Sequence, residues 1–315
     1  LNELKTAAVD AFGEFRKAQR NAAAEATDIT GLSAAVKSLG SELKNQVSAT
    51  ELLDNAARVA QKGYRDTADN INVLRATQKL AIATNTDFNT ALEATTDILK
   101  AYNLPSSEAD KITAQLAATA RLAGTSVNEL APQIGRIAST AASAGIGINE
   151  LLGFLGNASK KSGDARGNIT ALNKVINDLS TGDLVKKGNE IGLSFDQAAL
   201  KTGGLNELFK QLRSQGITTA EGLQKLGFNA KEAAAIAPSL ATGINEIKDA
   251  QAGLNKQFET QIDPKKLAEN QLKDSLVDLG KTVAPIANQV VLATRSMIAA
   301  FTQLPEPIQQ TLGVF

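Results

Sequence analysis

Apolar residues in the first sixty positions fall on one stripe. Stepping alternately by four and three from Leu4, the chain gives Ala8, Ala11, Phe15, Ala18, Ala22, Glu25, Ile29, Leu32, Val36, Leu39, Leu43, Gln46, Thr50, Leu53, Ala57 and Ala60, with Glu25, Gln46 and Thr50 as the polar exceptions. A repeat averaging 3.5 residues is the spacing of a left-handed coiled-coil seam. Gly13, Gly31 and Gly40 weaken it, since glycine in a helix interior costs about 1 kcal/mol against alanine, and Thr30-Gly31 is placed to divide the stripe into two helices. The pattern predicts an extended region of coiled-coil-like helices over residues 1–63, ended by Gly63. An amphipathic hairpin folded on its own chain is the alternative.

After Gly63 the pattern breaks into short helices with strong punctuation. Asp66 to Ala83 reads as a helix with Ile71, Leu74 and Leu80 on its apolar side. Thr86 or Asp87 starts the next, which runs to Lys100 or Tyr102 and is stopped by Asn103-Leu104-Pro105, because proline disfavours the helical conformation of its predecessor. Ser106 or Ser107 caps a helix through Leu122, closed by Gly124. Ser126 with Glu129 forms a capping box, and Gly147 with Glu150 repeats its spacing without a side-chain acceptor at the cap. Both starts carry an apolar residue followed by Asn-Glu-Leu, a tetrad that recurs at Leu205 to Leu208 and, more loosely, at Leu1 to Leu4 and Ile244 to Ile247; no long period accompanies it.

Ser159 to Asn168 has no apolar residue larger than alanine and is the clearest candidate for an exposed loop. Helix resumes from Ile169 to Leu179 and is broken at Gly182-Asp183. Ser194 with Gln197, Thr218 with Glu221 and Asn229 with Glu232 have capping-box spacing, and Gly203-Gly204 introduces Leu205 to Leu212. Short helices cannot stand alone in water, so Leu104 to Leu240 should pack as a compact body. Asp263-Pro264 starts a last long helix. No segment alternates strictly between apolar and polar, so the expected fold is all-α: an extended region over 1–63, a compact multi-helix body over 64–250, and a long C-terminal helix or helices over 251–315. A start at Leu1 and an uncapped apolar end at Val314-Phe315 mark the chain as an excerpt of a longer protein.

Composition narrows the chemistry. Lys plus Arg is 33 and Asp plus Glu is 33, and a net charge of zero gives no electrostatic footprint for nucleic acid or an acidic membrane. With 0 His and 0 Cys the usual general base, thiol nucleophile and soft metal ligands are missing. Aromatic residues make up 4% and Trp is absent, so alanine must fill the core by letting helix axes approach. Gly203-Gly204 and Gly145-Ile146-Gly147 lack the Lys and Ser or Thr of a phosphate loop. Asp249, Glu259 and Asp263 read as solvated helix-face acids, and the basic cluster Lys160, Lys161 and Arg166 as a solvated loop without an aromatic to stack a base. These observations propose no catalytic, cofactor-binding or metal-binding residue and no cofactor. Val283 to Phe301 is the most apolar window, but Pro285, Asn288, Gln289 and Arg295 within it suit a buried or partner-facing helix better than a membrane span.

The series of helix boundaries resembles the core region of phage tail tape measure proteins over about Asp66 to Gly313. The matching signs are Ala101-Tyr102-Asn103-Leu104, the start Gly124 to Ala131, the turn Ala144-Gly145-Ile146 before a second Glu-Leu start, and Ser162-Gly163 leading to Leu172. Ile191-Gly192-Leu193 and Leu226-Gly227-Phe228 follow in order, although Phe-Gly is more usual at the latter, and Gly167-Asn168-Ile169-Thr170 stands where a run such as Ala-Gly-Thr is expected. What the resemblance implies is a non-enzymatic structural virion protein of the tail tube lumen and tail tip, which governs tail length and takes part in genome delivery. It further implies a homo-oligomer, trimer or hexamer, with tail tube and tail-tip or baseplate hub proteins as partners, host membrane contact through the parent protein, and no specific nucleic acid. A pore-forming or membrane-remodelling helical protein of an injection apparatus is the alternative.

Overall fold

A computed structural model describes residues 2–181, 183–190, 197–242 and 249–302. Among the described residues the regular elements are all helical, and the fold is all-α. In chain order they are α1 (Asn2–Glu25), α2 (Ile29–Glu42), α3 (Ala49–Gln61), α4 (Thr67–Thr84), α5 (Phe88–Ala101), a 3₁₀ turn at Ser106–Glu108, α6 (Ala109–Ala123), α7 (Val127–Ser143) and α8 (Ile148–Ser162). Then come α9 (Ala165–Thr181), α10 (Asp183–Glu190), α11 (Gln197–Ser214), α12 (Ala220–Lys225), α13 (Ala230–Thr242), α14 (Ala250–Thr260) and α15 (Pro264–Thr302).

The chain divides into two compact units whose limits differ from residues 1–63, 64–250 and 251–315. Unit 1 gathers Leu1–Glu25, Ile29–Ala57 and Asp263–Phe315, and unit 2 gathers Ala26–Asp28 and Arg58–Ile262. The apolar stripe is real: Ala8, Phe15, Ala18, Ala22, Leu32, Val36, Leu39, Leu43 and Leu53 are buried. It is not one continuous helix. The first break falls at Ala26–Asp28, where Thr27 donates its backbone N–H to the Arg65 carbonyl at 3.1 Å, and Gly31 lies inside α2. The second falls at Leu43 to Ser48, where Lys44 and Asn45 both adopt positive φ. Within unit 1 the stripe is covered by its own chain, because α1 packs along α15.

Gly280 of α15 sets how close that approach is. A Cβ placed there would lie 2.1 Å from the Ala8 carbonyl oxygen and 2.5 Å from the Phe12 Cβ. Beside it the Lys281 ammonium sits 5.2 Å from the centre of the Phe15 ring.

Unit 2 is built on the same economy of volume. Its packed pairs include α4 on α6, α5 on α7 and α6 on α8, and its largest fully buried side chains include Phe154, Phe209, Leu74, Leu80, Leu92, Ile98 and Leu99. Where α6 meets α8, Gly156 leaves room for Leu122, whose Cδ2 would be 2.6 Å from any added Cβ. Threonines buried between helices return their hydroxyls to their own helix: Thr77 to Val73, Thr95 to Ala91, Thr96 to Leu92 and Thr119 to Gln115, at 2.7 to 2.8 Å. Each thus enters an apolar contact without an unsatisfied donor. Helix α14 belongs here too, packed on α4 and α6, with Lys79 over the Phe258 ring.

Several helix starts follow the capping chemistry, but α6 does not: neither Ser106 nor Ser107 caps it, and the Ser106 hydroxyl donates to Asp69 instead. Asp66 accepts from Ala68 and Asp69, Asp87 from Thr90, and Ser126 from Glu129, while Asn85, Asn103 and Gly124 take the left-handed conformation that ends a helix. Thr219, not Thr218, caps α12, through the Gly222 N–H at 3.2 Å. The stretch Ser159 to Asn168 is not the expected loop: α8 continues to Ser162 and α9 begins at Ala165, leaving Gly163 and Asp164 as the turn. Ser159 and Asn168 are buried because they satisfy one another, Asn168 Nδ2 donating to the hydroxyls of Ser159 and Ser162 at 3.2 and 2.8 Å. The expected caps at Ser194 and Ile191-Gly192-Leu193, the tetrad at Ile244 to Ile247 and the side chains of Val283 to Phe301 from Ile286 onward lie outside the described residues.

Candidate functional site

Three polar centres join helices that are distant in sequence, and each does so at the start of a helical segment. In unit 2, Gly204 interrupts α11 with φ 63 and ψ −164, so a second helical segment starts at Leu205. That start has no Ser, Thr, Asp or Asn at its cap, and its first N–H groups need an acceptor from elsewhere. Glu150 of α8 supplies it. Its carboxylate accepts from the backbone N–H of Leu205 at 3.2 Å, from that of Asn206 at 3.3 Å, and from the Asn206 side chain at 2.9 Å. Gly204 also leaves the space, since an added Cβ would stand 2.1 Å from a Glu150 oxygen.

Close to Glu150, Tyr102 donates its hydroxyl to the Ile146 carbonyl at 3.0 Å. Burial, with the Glu150 charge as the smaller cause, pushes this phenol far above its usual range. The neighbouring Asn149 accepts from the Gln115 side chain. Two of the Asn-Glu-Leu tetrads, Ile148 to Leu151 and Leu205 to Leu208, thus meet through the glutamate of one and the first amides of the other.

The second centre is the start of α13. Asn229 and Glu232 exchange bonds as a complete capping box, with the Glu232 N–H on the Asn229 side chain at 3.0 Å and the Asn229 N–H on Glu232 at 2.9 Å. Glu232 is only 2% exposed and takes an ion pair from Lys174 of α9 at 2.7 Å, whereas Lys174 is 54% exposed. Replacing Glu232 with alanine leaves the Asn229 cap in place but removes the acceptor of the Asn229 N–H and the partner of Lys174, and is expected to cost about 0.5–2 kcal/mol. Lys174→Met should cost much less, because the lysine keeps most of its water. Urea midpoints of the two variants check this, and equal losses would assign the effect to the ion pair instead.

In unit 1 the turn between α2 and α3 is held by α15. Gln46, a polar exception in the stripe, is buried because its side chain pairs with both backbone groups of Asp263, accepting at 2.9 Å and donating at 3.2 Å. Asn270 donates to the Asn45 carbonyl at 2.9 Å, and Asp274 accepts the Ala49 N–H at the start of α3 at 3.0 Å. Desolvation raises Asp274 above the ordinary aspartate range, whereas bonds from Lys281 and Lys37 hold Asp278 below it. A cleft of about 200 Å³ opens here, lined by Phe15, Lys37, Ser41, Asn45, Asp274 and Asp278.

Among the described residues no group of three or more acidic residues gathers as a metal cage, and no helix is long and apolar enough to cross a membrane. Lys160 and Arg166 are exposed near the ends of α8 and α9. Asp249 precedes α14 and Glu259 lies in its last turn, both in unit 2, and Asp263 belongs to unit 1. The Asn229 and Glu232 box was legible in its spacing, whereas the caps that Glu150 and Asp274 supply to other helices could not be located from the sequence, although the bare Gly203-Gly204 start was a sign that an outside acceptor was needed. A family model described as phage-related minor tail protein matches residues 33–221. No curated protein and no solved structure matches.

Proposed function

The chain belongs to the phage-related minor tail protein family and is a structural protein of the phage tail, and from that premise we propose that it is a tape measure segment that governs tail length during assembly and takes part in genome delivery. The observation that carries this reading is the coincidence of the matched residues with an ordered series of capped helices, α4 to α9, whose boundary motifs resemble those of tape measure cores. A body held by buried caps and close-packed alanines, with no His or Cys, suits a part that bears load in an assembly and catalyses nothing. Its place is the tube lumen and tail tip, against tube and hub proteins, with membrane contact left to the parent protein and no sequence-specific contact with nucleic acid. Copies assemble about the tail axis as a trimer or hexamer. The stripe of α1 to α3 is turned inward within unit 1, so these copies meet through another surface.

In-frame removal of α7 and α8, Gly124 to Gly163, from a phage carrying this gene tests the reading. A tape measure without its body should give no tails, or tubes of uncontrolled length, in electron micrographs. Normal-length tails that merely fail to infect would retain a minor tail protein and reject the length-setting role.

A further inference from the structure

Unit 1 is closed by two segments that the chain separates by nearly the whole of unit 2. Its α1 and α15 run antiparallel: Gly280 stands against Ala8 and Phe12, while Val277 shares one cleft with Ala11 and another with Phe15 and Asp274. The start of α1 thus lies beside the later part of α15, at the opposite end of their contact from Asp263. Towards Asp263 the contact changes character. Gln46 holds both backbone groups of Asp263, Asn270 reaches the Asn45 carbonyl, and Asp274 takes the Ala49 N–H. From the open end inward, an apolar seam of Ala8, Phe15 and Val277 comes first and a hydrogen-bonded lock comes last.

This arrangement decides how the chain carries tension. Force applied between the start of α1 and the later part of α15 passes across their seam. The covalent route between the same two points runs through unit 2, and that length of chain is not drawn taut until the seam opens. Both points lie at one end of an antiparallel pair, so the contacts are loaded one after another, beginning with Ala8 and Gly280. A seam peeled in this way yields at a lower force than one slid along its length, where every contact resists together. Alanine against glycine at the open end also buries little apolar area to oppose the first opening.

We propose that unit 1 is a tension-operated latch. Pulled at its open end, it unzips from Ala8 and Gly280 towards the Gln46 and Asp263 lock while unit 2 stays folded, and it uncovers Phe15, Ala18, Ala22 and Val277 as it opens. The inference holds for any assembly that draws the chain out, whether or not the chain sets tail length.

Optical tweezers on the whole chain test this. The sequence has 0 Cys, so handles attach only at introduced thiols, placed here at exposed positions. K5C with T282C pulls at the open end. The tether should first lengthen by roughly 230–250 Å, in one step or two, as unit 1 releases its chain at about 3.3–3.6 Å per residue, and unit 2 should follow in a step of roughly 700 Å. K5C with K266C pulls the same seam along its axis, and its first opening should need a force higher by about twofold or more. Gly204→Ala, placed in the K5C/T282C chain, should lower the force of the large step alone. The proposal is overturned if the large step comes first or both units open together. Equal opening forces in the two directions, or a first opening eased by Gly204→Ala, overturn it as well.

Discussion

Gly280→Ala destabilises unit 1 by about 1–3 kcal/mol, even though alanine is the better helix former by about 1 kcal/mol. The added methyl would meet the Ala8 carbonyl oxygen and the Phe12 Cβ, and a backbone atom of a packed helix cannot swing aside as a side-chain end can. Relief requires α1 and α15 to move apart along their contact, which loosens Phe15 and Val277, both buried between them or beside them. Gly13→Ala is the matched control. Gly13 lies in α1 with nothing within 4 Å of an added Cβ, so the same substitution should stabilise the helix by about 0.5–1 kcal/mol. Opposite signs in amide exchange of α1, read under mild urea, are the expected result. A neutral or stabilising Gly280→Ala would mean that the helices do not approach as described.

Gly204→Ala should be the most damaging small substitution in unit 2. The backbone angles at Gly204 fall where a residue with a Cβ is strained by about 1–3 kcal/mol. The methyl would also displace the Glu150 carboxylate and leave the amides of Leu205 and Asn206 without their acceptor, a further loss of about 1–3 kcal/mol. Glu150→Gln separates charge from shape, since it keeps an acceptor and should cost about 1 kcal/mol. It should also let the Tyr102 phenol ionise at lower pH, still above the ordinary 10.0 because burial is the larger cause. An ultraviolet titration reads this directly, with Tyr64 as the internal reference. If Glu150→Gln leaves the Tyr102 titration in place, the carboxylate does not sit where its bonds to Leu205 and Asn206 put it.

What the sequence made legible follows from the range of the forces involved. Caps such as Ser126 and Asn229 act on amides three residues away, and the spacing of their side chains was enough to find them. The stripe from Ala8 to Leu53 was legible for the same reason, since periodicity reports that a face is buried. It does not report what covers that face. For α1 the cover is α15, more than two hundred residues on, and local pattern carries no trace of that pairing. Polarity misled at Ser159 to Asn168, because serine and asparagine can be buried at little cost once they bond one another. Polar Gln46 was an exception within an apolar series for a similar reason, its amide being taken up by the backbone of Asp263. The carboxylate caps of Glu150 and Asp274 escaped because an acid that serves a helix not its own has no fixed offset in sequence.

The split composition of unit 1 dictates an order of events at the ribosome. Helices α1 and α2 leave the exit tunnel ahead of α4 to α14, yet the residues that hold the turn between α2 and α3 and lie along α1, from Asp263 to Gly280, are translated only after the whole of α4 to α14. Unit 2 can therefore fold while the amino-terminal stripe is still uncovered, reversing the usual vectorial sequence in which the earliest segment settles first. While α4 to α14 are being translated the nascent chain displays Phe15, Leu32, Val36 and Leu39 to the cytosol of its host, and polysomes bring many such chains together. The interval between synthesis and closure, rather than the finished molecule, is where this protein is most exposed to aggregation and most in need of a holdase.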